Sequence, residues 1–111
     1  MGDIVSEESV LYATYERVAL ISHTRPTKMN ASSKDLRLEL RRAMNKAEND
    51  EAIRVVVLTG EGRAFQAGAD LTDEYSSAHR TISEHILLDH QPLIDNIRRS
   101  EKTYIAAVNG A

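Results

Sequence analysis

The chain of 111 residues contains no cysteine. Disulfides and thiolate metal sites are therefore excluded, and a reducing compartment is compatible with the sequence. Long apolar runs are lacking as well: none approaches the ~20 residues needed to span a membrane. Nor is there a strong excess of one charge. The formal net charge is -3 and the pI about 5.8, which gives no general attraction to DNA or to anionic lipid. A local basic site for a phosphate ligand stays open. The acidic and polar stretch Met1–Ser9 has neither a basic n-region nor an apolar h-region, so it is no secretory signal. It also lacks the Arg-rich bias of a mitochondrial presequence. Together these absences predict a soluble, cytoplasmic protein with no nucleic-acid partner and no membrane partner.

What is present suits an ordinary globular chain, with 41% hydrophobic and 28% charged residues. Residues 1–9 read as a flexible leader. Val10 to Thr14 and Val18 to Ser22 are rich in β-branched and aromatic residues, as strands are. The connection Tyr15-Glu16-Arg17 has no glycine, which weakens the hairpin signal. His23 to Ala31, with Pro26 and Asn30, reads as a loop. Ser32 or Ser33 offers a helix N-cap, with Asp35 in the first turn. Leu36, Leu40, Ala43, Met44 and Ala47 then recur at helical spacing, while Arg37, Glu39, Arg41, Arg42 and Lys46 fall mostly off that stripe.

Further along, Ile53 to Thr59 contains the run Val55-Val56-Val57-Leu58, the pattern of a strand buried on both faces. Leu71 to about Ala78 reads weakly as a helix start. A second helical stripe follows at Ile82, Ile86, Leu93 and Ile97, and Pro92 predicts two pieces or a kink there. Tyr104 to Val108 is another buried-type strand, with Asn109-Gly110 after it. The order is β-β-α-β-α-β. It stops after an apolar strand and a turn with no closing helix, so the sequence reads as a fragment, a truncated product or one piece of an assembly.

The segment with most chemical content is Leu58-Thr59-Gly60-Glu61-Gly62-Arg63-Ala64-Phe65-Gln66-Ala67-Gly68-Ala69-Asp70-Leu71. It reads as strand, glycine turn, short extended stretch, then a glycine ahead of a helix start. Asp70 can cap that helix, with Asp73 three residues later. The free N–H groups there lie at the positive end of a helix dipole, and Gly68 lets a ligand approach the backbone. Backbone donors placed this way can stabilise an oxyanion. The competing reading is that the glycines only shape a tight turn. Neither a dinucleotide fingerprint nor a P-loop is present.

Four ordered stretches add a resemblance. Val57 to Gly60 with Phe65 to Leu71 resembles the crotonase-family (enoyl-CoA hydratase/isomerase) signature around its first oxyanion-hole residue. Arg25-Pro26-Thr27-Lys28-Met29-Asn30-Ala31 is similar to that family's R-P-x-x-x-N-A loop. Asp50 to Val57 resembles the approach to its central strand, and Ile105 to Gly110 the strand before its second glycine-rich segment. The likeness runs from about Leu11 to Ala111. It implies an α/β fold, the first and incomplete half of a crotonase-like ββα spiral, with residues 10–111 as the N-terminal portion of the domain. It also implies binding of acyl-CoA, no cofactor beyond the CoA that the substrate carries, and assembly into homotrimers or hexamers.

In the family two backbone N–H groups polarise the thioester carbonyl and stabilise an enolate. By resemblance the first falls on Ala69. The second, and the glutamates that serve as acid and base in hydratases, lie beyond Ala111 in the family. Lys28 matches a basic position near the CoA phosphates, although a solvated surface lysine fits equally. Arg25 can serve either way. Backbone near Ala67, Gly68, Asp70 and Leu71 is where the resemblance puts CoA contacts. Gln66, Thr24 and Thr103 depart from the family's usual small residue, asparagine and proline. Glu74, Tyr75 and Glu84 fall in the segment that borders the family's acyl pocket.

The remaining polar residues have plainer readings. His23, His79, His85 and His90 form no metal set: His85 and His90 are five apart and H-E-x-x-H is absent. Surface or helix-face histidines explain them. Arg98, Arg99 and Lys102 read as a solvated helix end that complements the dipole. The expected function is the acyl-CoA-binding portion of an enoyl-CoA hydratase/isomerase-like enzyme. The alternative is a truncated, non-catalytic binding or assembly module of the same fold.

Overall fold

The computed structural model describes residues 2–70, 84 and 86–111. Five strands form one sheet in sequence order. β1 (Ile4–Ser6), β2 (Val10–Tyr15) and β3 (Val18–His23) are antiparallel neighbours, and β4 (Val55–Gly60) and β5 (Thr103–Ala106) continue the sheet in parallel. The change from antiparallel to parallel follows from the connections. A two-residue turn joins β2 to β3, whereas a helix must carry the chain back between β3 and β4. Glu16 sits in that turn with φ 53°, the left-handed conformation usually left to glycine.

The described residues Gly2–Ser9 differ from the loose leader their composition suggests. Ile4–Ser6 pairs with Leu11–Ala13 along the sheet edge although all three of its residues are exposed. Backbone hydrogen bonding, rather than burial, accounts for this strand. Ser9 is buried, and its N–H donates to the Glu39 carboxylate at 2.7 Å.

α1 (Lys34–Asn49) begins where the N-cap signal puts it. The Ser33 hydroxyl accepts the Leu36 N–H at 3.1 Å, satisfying a donor that the first turn leaves open. Its stripe of Leu36, Leu40, Ala43, Met44 and Ala47 is buried against Val10, Tyr12, Ala19, Ile21, Ile53 and Val56, and this is the core. Two charged residues expected off that stripe are buried as well. Arg37 donates to the carbonyl and hydroxyl of Ser32, and Glu39 accepts from Ser9. Buried charge persists here because each group has charged or polar partners.

A π-helical turn, Ile86–His90, leads into α2 (Gln91–Arg99), with Pro92 in the first turn of α2. The interruption expected at Pro92 therefore takes the form of two pieces. Leu93 and Ile97 pack against the core. The expected helix start at Leu71 to Ala78, together with Ile82, lies outside the described residues.

β4 and β5 are less covered than their apolar runs suggest. Within Val55 to Leu58 only Val56 is fully buried, and three of the four residues of β5 are exposed. Lys102, expected to complement the end of its own helix, instead reaches the C-terminal end of α1. Its Nζ donates to the Ala47 and Asp50 carbonyls at 2.5 and 2.7 Å. Among the described residues no helix is long and apolar enough to cross a membrane.

Candidate functional site

The glycine-rich segment leaves the C-terminal end of β4 and is fixed from several sides. Gly60 is buried, and a Cβ there would collide with the carbonyls of Ala64 and Phe65. The bend therefore depends on the missing side chain. Two asparagines grip the carbonyls of the bend. Asn30 Nδ2 donates to Glu61 and Ala64 at 3.0 and 2.8 Å, and Asn109 Nδ2 donates to Gly60 and Gly62 at 2.8 and 2.9 Å. Asn109 Oδ1 also accepts the Gly60 N–H at 3.2 Å. Sequence reading treats Asn30 and Asn109 as turn residues; here each is a clamp between two loops.

Beyond the bend the backbone is zipped to its neighbours. Phe65 and Gln66 donate their N–H groups to the Ala111 carbonyl at 2.7 and 3.0 Å, and Ala67 donates to Met29 at 3.1 Å. Ser32 then pairs with Ala69 in a parallel bridge: the Ser32 N–H donates to Gly68 at 2.7 Å, and Asp70 donates to Ser32 at 3.0 Å. In such a bridge the groups of Ser32 face the partner strand and those of Ala69 turn away from it. The Ala69 N–H consequently has no hydrogen-bond partner among the described residues; the Gly68 N–H has none either, and both residues are exposed. Gly68 has φ 117°, and a Cβ there would meet open space. Glycine is needed at this position for its backbone conformation and not for lack of room.

The R-P-x-x-x-N-A loop lies directly alongside. Pro26–Lys28 makes a 3-10 turn, and Met29 and Asn30 both take left-handed φ values of 54° and 55°. Lys28 is exposed at this turn. Arg25 faces inward. Its guanidinium donates to the Ala31 carbonyl and to the Asp70 carboxylate, each at 3.0 Å. Arg25 thereby ties the loop to the segment, a contact that neither reading of it as a phosphate ligand or a solvated surface cation anticipates. Ala67 and Asp70 have their N–H groups engaged, so any ligand contact they make uses other atoms. Leu71 lies outside the described residues, as do Asp73, Glu74, Tyr75, His79 and His85. Glu84 is exposed.

One residue read as a surface histidine belongs to this site. His23 is 3% exposed, and its Nδ1 lies 2.9 Å from the Phe65 carbonyl. Burial pushes its imidazole below the usual histidine range, against the smaller opposing effect of that hydrogen bond. Along β3, Ala19, Ile21 and His23 alternate onto one face, a period-2 signal that was available in the sequence. With Ser32, Phe65, Gln66, Leu58 and residues of α1 and α2, His23 lines a cavity of about 250 Å³. Among the described residues no group of three metal-binding side chains occurs.

A family profile described as enoyl-CoA hydratase/isomerase matches residues 13–111. The chain belongs to that family. It is 40% identical over 96 residues to 4-chlorobenzoyl coenzyme A dehalogenase-2 of an Arthrobacter species, covering 84% of this chain and 35% of the relative. It is 34% identical over 104 residues to the crotonyl-CoA hydratase of Syntrophomonas wolfei, covering 93% and 40%. A solved structure from Legionella pneumophila, assigned as a candidate enoyl-CoA hydratase/isomerase (crotonase), superposes with a TM-score of 0.81 at 38% identity. That superposition covers 95% of this chain and 41% of the other. The fold is thus crotonase-like over a stretch that spans about two fifths of such relatives. Hydratase and dehalogenase names both occur among them, so membership of the family fixes the scaffold and leaves the reaction open.

Proposed function

We propose that this chain is the acyl-CoA-binding portion of an enoyl-CoA hydratase/isomerase-like enzyme, with the Ala69 N–H as one donor of its oxyanion hole. The observation that carries the proposal is the outward, unbonded Ala69 N–H beside a glycine of positive φ. A fixed donor costs no reorganisation as negative charge builds on a thioester oxygen. It also favours the enolate over the neutral carbonyl, which is the difference that lowers a barrier.

In this reading Lys28 meets a CoA phosphate as a point charge. Ala67, Gly68, Asp70 and Leu71 line the path of the pantetheine or adenine portion. The enolate forms when a base takes an α-proton from the activated acyl group, or when a nucleophile adds to the β-carbon of its α,β-double bond and the electron pair moves onto the thioester oxygen. The second donor and the acid/base carboxylates come from residues beyond Ala111 in the family, and the substrate supplies CoA. Assembly into trimers or hexamers and a cytoplasmic location complete the proposal.

The test is an acyl-CoA labelled with ¹³C at the thioester carbonyl. Binding should shift the carbonyl resonance downfield as the bond is polarised. A label that binds with no carbonyl shift overturns the oxyanion role, and a protein that binds no acyl-CoA overturns the assignment as a whole. Residues 1–111 alone should not hydrate crotonyl-CoA above a blank. Turnover by this stretch would mean that it holds more of the machinery than the reading assigns.

A further inference from the structure

His23 holds both ends of the bend that leads to Ala69. It is the last residue of β3 and stands opposite Gly60 in parallel register. Its backbone carbonyl accepts the Glu61 N–H at 2.8 Å. Its ring bonds through Nδ1 to the Phe65 carbonyl at 2.9 Å. Main chain and side chain of one residue thereby close the Glu61–Phe65 loop. The Phe65 ring stands edge-on to the imidazole, with centroids 5.4 Å apart and planes at 66°.

A carbonyl oxygen can only accept, so Nδ1 carries the hydrogen. In the neutral ring Nε2 is then an acceptor, and it has no hydrogen-bond partner among the described residues. Among the described residues, the other ties on the Phe65–Asp70 run go to Arg25, Met29, Ser32 and Ala111, none of which lies in one of the five strands. The His23 ring joins the run directly to a strand of the sheet. Rigid elements hold a reacting geometry more closely than loops do.

We infer that His23 is a positioning residue for the Ala69 N–H, fixing the Phe65 carbonyl against the end of β3 through its Nδ1–H tautomer. The inference rests on Ala69 being the oxyanion donor, and it assigns His23 no contact with the reacting atoms. A leucine at position 23 would fill the apolar side of the space and leave the Phe65 carbonyl without its donor. An asparagine carries an amide N–H close to the place of Nδ1, and should restore the tie.

The experiment uses the full-length enzyme with His23→Leu and His23→Asn. In the wild type, ¹⁵N spectra of the His23 ring should show Nδ1 protonated and Nε2 bare. His23→Leu should speed amide exchange at Phe65, Ala67 and Asp70 by about tenfold or more, while Ile21 and Val56 in the core stay unchanged. It should lower kcat for an acyl-CoA by on the order of tenfold to a hundredfold with little change in KM, as expected when a donor is displaced. His23→Asn should recover most of both losses. The opposite tautomer, exchange that rises equally throughout the fold, or an asparagine variant as impaired as leucine would each overturn the inference. If the wild type binds no acyl-CoA, the proposed function fails, and the ring spectra and exchange data still decide whether His23 anchors the segment.

Discussion

Ser32 and Ala69 face each other across a single parallel bridge, and that bridge decides which way the Ala69 N–H points. Both backbone groups of Ser32 are consumed by Gly68 and Asp70. The corresponding groups of Ala69 are left facing away. A donor fixed at its back by two hydrogen bonds and open at its front has the preorganisation that oxyanion stabilisation requires.

Ala69→Pro removes that donor and fixes φ beside Gly68. In the full-length enzyme acyl-CoA turnover should fall by about 10²-fold or more. Ala69→Ser keeps the N–H and adds little volume, so it should retain substantial activity. Thermal unfolding of both variants separates lost chemistry from lost folding. A proline variant that folds normally and turns over at the wild-type rate would show that Ala69 is no donor.

Gly68→Ala tests a different quantity. The added methyl meets nothing, yet φ 117° is strained for any residue with a Cβ. The cost should be about 1–3 kcal/mol, borne by the Ala67–Asp70 stretch. Local amide exchange measures it. An alanine variant with unchanged exchange would indicate that the segment relaxes to a new backbone.

Asn30 and Asn109 both donate to the bend after β4, and both reach the Ala64 carbonyl, at 2.8 and 3.4 Å. Asn30→Ala should cost more, because Asn30 is fully buried and both the Glu61 carbonyl and the Arg25 N–H lose it as a partner. An estimate of ~2–3 kcal/mol for Asn30 and ~1 kcal/mol for the exposed Asn109 follows from such losses. The double variant should deviate from additivity by about 0.5 kcal/mol or more. Chemical denaturation of the four proteins gives the cycle, and strict additivity would mean that the two clamps act independently.

The stability of the fold should fall with acidity through His23. Its folded pKa is lowered by burial, so between the ordinary histidine value and that lower value the unfolded chain binds the extra proton. The stabilisation is complete above the ordinary value, about 6.5. It is lost as pH drops through the folded value. Arg37 and His90 line the same cavity. His23→Asn should flatten the slope of unfolding free energy over this window. An unchanged slope would assign the titration to another group.

Lys102→Met should loosen the end of α1. The ammonium donates to two carbonyls at the helix end, each of which also accepts a backbone N–H, Ala47 from Asp50 and Asp50 from Ile53. Hydrogen bonds from charged donors of this kind contribute about 1.5–3 kcal/mol. Urea unfolding should show a lower midpoint with an unchanged slope. An unchanged midpoint would mean that solvent replaces the lysine at no cost.

Local chemistry by itself determined much of this protein. The period of Leu36, Leu40, Ala43, Met44 and Ala47 and the hydroxyl of Ser33 define α1, because a stripe and a cap act within one helix. The β-branched runs define β2 to β4. The ordered motifs from Arg25 to Asn109 name the family, since their spacing survives without knowledge of contacts. Tertiary structure decided what depends on partners distant in the chain. Arg25 turns inward because Asp70 waits there, 45 residues away. Ile4–Ser6 becomes a strand because β2 offers an open edge, and Lys102 caps a helix other than its own. His23 continues the alternation of Ala19 and Ile21 into the interior, but only the return of the chain from β4 brings the Phe65 carbonyl within reach of its ring. The direction of the Ala69 N–H was likewise beyond the sequence, because it is set by which residue pairs with Ser32 and not by any residue type.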